Sequence, residues 1–70
     1  MTTATAGMAD QVASVIQRNN TVNIKALEGL IDADPIVIGA ALFRLEETGT
    51  AIRFYTQNHD GRMVANWRLA

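Results

Sequence analysis

The chain has 70 residues, no cysteine, one histidine, and seven acidic against six basic side chains, for a formal charge of −1. That inventory excludes a disulfide-stapled fold, a thiolate metal site and a cysteine nucleophile, and it argues against a protein that holds nucleic acid by bulk positive charge. The length suffices for one core and not for two. No apolar run approaches the roughly 20 residues needed to span a bilayer. The stretch Met1 to Met8 has neither the basic nor the apolar region of a secretion signal, so the sequence reads as cytoplasmic.

Residues 1–6 are small and polar and read as a disordered lead-in to a single domain over 7–70. Met8, Val12, Val15 and Ile16 then recur at i, i+4, i+7 and i+8, one face of an amphipathic helix running to about Arg18 or Asn19. Asn19 and Asn20 form a stop signal. Thr21 to Ile24 alternates for four residues and is either a short strand or the lead into a second helix, which runs from Lys25 to about Ile31 with Leu27, Leu30 and Ile31 on its apolar side. Thr21 or Asn23 is its cap.

The best-bounded stretch is Asp34 to Gly49. Asp34 reads as an N-cap, because its carboxylate can accept from the free amides of the first turn. Pro35 occupies the first helical position, where its missing N–H costs nothing, and Gly49 supplies the left-handed residue that ends the helix. Ile38, Ala41, Leu42 and Leu45 share one face, leaving Ile36, Gly39, Ala40, Phe43, Arg44 and Glu47 outward. A rotated phase would instead bury Phe43 and expose Ala41.

After Gly49 the apolar period changes to two. Ile52 and Phe54 alternate with Arg53 and Tyr55; after a turn over Asn58 to Gly61, Met63, Ala65, Trp67 and Leu69 alternate with Val64, Asn66 and Arg68. A two-residue or four-residue loop puts Ile52, Phe54 and Trp67 on one core-facing side and Arg53 and Arg68 on the other. A three-residue loop slips the register by one and breaks that match, so it is rejected here.

Helix, short strand, helix, turn, helix and hairpin make an α+β chain with the order of a winged helix-turn-helix: three helices packed on a small antiparallel sheet with a C-terminal β-hairpin wing. Within that group, Leu45-Glu46-Glu47-Thr48-Gly49-Thr50-Ala51-Ile52-Arg53 resembles the helix-to-wing junction of the FeoC-type small proteins of bacterial ferrous-iron transport. Trp67-Arg68-Leu69-Ala70 resembles their C-terminal end. That family typically carries wing cysteines thought to hold an iron–sulfur cluster; this chain has none, so the resemblance bears on fold.

Two functional readings follow. In the first, Ile36, Gly39, Ala40, Phe43 and Glu47 form a protein interface on the third helix, for a second copy of the chain as a homodimer or for another protein. A domain this small rarely exposes an isoleucine and a phenylalanine together without using them. In the second, the third helix and wing read DNA, with Lys25 and Arg44 at the major groove or its phosphates and Arg53, Arg62 and Arg68 on the backbone. Neither reading needs a cofactor, a metal, a membrane or a small-molecule substrate. His59 beside Asp60 reads as turn chemistry, and Asp32 with Asp34 as capping, because a lone histidine cannot build a common zinc site. Nothing resembles a phosphate-cradling loop or a nucleophile triad, so no enzyme is expected.

Overall fold

The computed structural model describes residues 7–70; the expected disordered lead-in at 1–6 lies outside them. Helix α1 spans Gly7–Asn19, strand β1 Thr21–Asn23, helix α2 Ile24–Leu30, helix α3 Pro35–Glu47, strand β2 Ala51–Gln57 and strand β3 Met63–Leu69. The three helices pack against a three-stranded antiparallel sheet in the order β1-β3-β2, which ends in a tight β2–β3 hairpin.

Local chemistry accounts for most boundaries. Asn20 takes a left-handed φ of 68° at the end of α1, and the Asn19 side chain donates to the Val15 carbonyl at 2.8 Å. Asn23 caps α2 by accepting from the Ala26 amide at 2.8 Å, and Asp34 caps α3 by accepting from the Ile36 amide at 2.8 Å. Pro35 opens α3, and Gly49 leaves it with φ 75°. Thr21–Asn23 is a strand, paired with β3 so that Val22 stands opposite Trp67.

The core lies between the helices and one face of the sheet. Val12, Ile16, Leu27, Ile38 and Leu42 are its most completely enclosed side chains, with Val22 and Trp67 closing it from the sheet. Each such aliphatic side chain contributes about 1.5–3 kcal/mol by leaving water. Leu30, expected on the apolar side of α2, is 58% exposed. Leu27 and Ile31, four residues apart, take the core-facing positions, and Leu30 falls to the flank beside α1.

The hairpin departs from expectation. Residues 51–57 pair with 63–69 so that Ile52 faces Arg68, Arg53 faces Trp67 and Phe54 faces Asn66. This is the slipped register of a three-residue loop. Its cause is Asn58: the side-chain oxygen accepts from the amides of Asp60 (2.9 Å) and Arg62 (3.0 Å), while its carbonyl accepts from Gly61 (2.9 Å). Gly61, at φ 85°, completes a three-residue loop of His59, Asp60 and Gly61.

The slip does not turn Trp67 toward water, because β1 and the core hold β3 in place. Instead β2 is inverted. Ala51, Arg53 and Tyr55 share the helix-facing side with Trp67; Ile52 is exposed on the other side with Arg68, and Phe54 is half-buried there. Met63, also expected on the core side, is exposed near the tip of the hairpin.

Candidate interaction surface on the third helix

Helix α3 carries two apolar sides. Toward the core, Ile38, Ala41, Leu42 and Leu45 are all buried. Away from it, Ile36 is 81% and Phe43 59% exposed, with exposed Ala40 between them at i+4 of Ile36. Ala41 is 6% exposed, so the rotated phase that would bury Phe43 does not occur. Gly39 borders this stripe, half-buried, and Glu47 continues it by one more turn.

Val37, which the sequence reading passed over, adds to the surface at 45% exposure. It lines a groove of ≈ 580 Å³ between the start of α1 (Gly7, Met8, Ala9) and the α3 residues Ala40, Phe43, Arg44 and Glu47. The signal for Val37 was weak because its angular position lies between the two stripes. A second groove of ≈ 390 Å³ runs between α1 and the end of α2, where Leu30 meets polar Asp10, Gln11 and Ser14.

On its sheet-facing flank α3 presents Glu46, another residue the sequence reading left unassigned. One carboxylate oxygen accepts from Arg53 Nε at 3.1 Å and Nη2 at 2.8 Å; the other accepts from the Trp67 indole N–H at 2.9 Å. Because Arg53 and Trp67 stand opposite each other across β2 and β3, a single side chain ties α3 to both strands. The hydrogen bond that Arg53 donates to Glu46, and then the charge of that carboxylate, raises the Arg53 guanidinium above its ordinary pKa. The slipped register makes this cluster possible, since the expected register points Arg53 outward.

The five residues of the nucleic-acid reading are not gathered on one face. Arg53 lies on the helix side of the sheet with Glu46, and Arg68 lies on the other side opposite Ile52 and Thr21. Arg62 is exposed beside the hairpin loop, Lys25 is exposed on α2, and Arg44 lines the α1–α3 groove. Among the described residues, Arg53–Glu46 at 2.8 Å is the arginine–carboxylate pair, and His59 stands 3.6 Å from Asp60 at an exposed site. No group of three or more His, Cys, Asp or Glu side chains among the described residues could hold a metal ion. No helix among them is long and apolar enough to cross a membrane. No family model matches the chain, and no curated protein matches it in sequence.

Proposed function

We propose that the chain is a non-enzymatic winged-helix regulatory module of the cytoplasm that acts by protein contact through the outward stripe of α3. The observation that carries this reading is the joint exposure of Ile36 and Phe43 on a helix whose other side already fills the core. The element order and the β1-β3-β2 sheet support the winged-helix assignment, and the FeoC-like stretch from Leu45 to Arg53 then forms its helix-to-wing junction. Ile36, Ala40 and Phe43 are the contact residues; Gly39 leaves room beside them, and Arg44 and Glu47 supply rim charge. Such a stripe fits an apolar groove or a second helix better than base edges, which demand donors and acceptors at these positions.

A photo-crosslinking phenylalanine analogue in place of Phe43, introduced into cells that make the protein, tests this. The expected product is a discrete protein adduct that disappears when Ile36→Glu is added. An adduct to nucleic acid would overturn the reading in favour of the DNA alternative. In that case Arg62→Ala should weaken binding to all sequences alike and lower the salt slope by about one.

A further inference from the structure

The outer edge of β2 is free among the described residues, and the hydrogen bonds around the hairpin define which of its groups are unpaired. Ala70 donates to the Thr50 carbonyl and Asn58 to the Arg62 carbonyl, both at 2.9 Å. These pairs bracket the ladder, so the even residues of β2 exchange bonds with β3. The N–H and C=O groups of Ala51, Arg53, Tyr55 and Gln57 therefore point away from it. β1 flanks the opposite side of β3 and cannot reach them.

Exposed edges of this length usually carry a device against pairing, such as a proline, a bulge, an edge lysine or an inward-pointing charge. Over its seven residues β2 has no proline and no lysine. Its one charge, Arg53, points inward to the helix side, where an unmatched charge would oppose pairing, but the Glu46 carboxylate already matches it at 2.8 Å.

We infer that this edge pairs antiparallel with the same edge of a second copy, about a two-fold axis through Phe54. This register engages every outward N–H and C=O of the strand. Arg53 falls opposite Tyr55 of the second copy, and Phe54 stands opposite its own counterpart at a close, non-hydrogen-bonded position. Sliding the strands by two residues one way sets Arg53 against Arg53. Sliding them the other way leaves Ala51 without a partner. The chosen register alone avoids both faults.

On the outer side the two Phe54 side chains then meet at the seam, flanked by Ile52 of each copy opposite Thr56 of the other. Both α3 helices lie on the same side of a continuous sheet, with their stripes uncovered. The inference does not depend on the reading of α3.

Sedimentation equilibrium of the wild-type chain at about 100 µM is the first test, with a dimer expected; a monomer overturns the seam. The chain has no cysteine of its own, which makes a crosslink unambiguous. A non-hydrogen-bonded pair has Cα atoms about 4.5 Å apart, within the range a disulfide accepts. Under mild oxidant Phe54→Cys should form a covalent dimer at least tenfold faster than Phe43→Cys. Equal rates, or a faster Phe43→Cys, overturn the seam. If the strand crosslink fails while the photo-adduct at position 43 persists, the β2 pairing falls and the α3 reading stands; the reverse pattern separates them the other way.

Discussion

Ile36 and Ile38 stand two residues apart on α3, yet Ile38 is wholly enclosed while Ile36 is 81% exposed. Leu42 and Phe43 repeat the contrast one turn later. Both sides of the helix have the composition of a core, so apolar character alone does not decide which side is buried. What decides it is fit. Ile38, Ala41, Leu42 and Leu45 mix large and small side chains where α1, α2 and the sheet converge, and all four are enclosed there. Apolar surface left over after the core is complete is a candidate for contact with something else.

The widest separation between the two sides should appear on truncation. Leu42→Ala opens a cavity in the centre of the domain and should cost about 2–5 kcal/mol. Phe43→Ala removes a larger side chain but should shift the stability of the isolated monomer by less than about 0.5 kcal/mol. Urea denaturation of both variants measures the difference directly. A Phe43→Ala loss near that of Leu42→Ala would return the stripe to the core and leave the proposed interface without residues.

A smaller effect should come from Glu46, on the flank between the two sides. Glu46→Ala leaves the indole N–H of buried Trp67 unpaired, at a cost of about 1–3 kcal/mol. Because Trp67 is the only tryptophan, its fluorescence should report the change in the same experiment. Trp67→Phe should remove most of the penalty, since no donor then remains to be orphaned. If Glu46→Ala costs the same in both backgrounds, the indole bond contributes nothing, and the tie between α3 and the hairpin rests on Arg53.

The sequence made α3 legible because its signals are local. Asp34, Pro35 and Gly49 act within one turn of themselves, and the four-residue spacing of Ile38 and Leu42 needs no knowledge of the rest of the chain. The outward stripe followed from the same phase. The hairpin register was not legible, and its failure has a specific origin. β2 is acceptable on either side: Ile52 and Phe54 make the more apolar face, but Ala51 fits closely under the helices and Arg53 reaches Glu46 there. The deciding interactions were the side-chain bonds of Asn58 in the loop, together with a glutamate 21 residues from the tryptophan it meets. No periodicity contains either of them. Leu30 was misread for a related reason: a helix of seven residues has room for few core positions, Leu27 takes the buried one, and Ile31, just past the helix end, fills the core beside it.

The smallest predicted effect bears most directly on what the outer side is for. Gly39 lies mid-way along α3 in ordinary right-handed conformation, where glycine is less favourable than alanine by roughly 0.5–1 kcal/mol. A methyl group added there would meet no atom within 4 Å, so nothing within the described chain requires its absence. Gly39→Ala should therefore raise the stability of the free domain by up to about 1 kcal/mol, readable as a higher thermal midpoint. If a partner lies against Ile36, Ala40 and Phe43 and approaches the helix backbone closely, the same methyl should reduce the photo-adduct formed from position 43. A gain in stability with undiminished adduct would show that the partner reads only the large side chains. A gain accompanied by loss of adduct would mean that the domain gives up helix stability at Gly39 to let another surface come close.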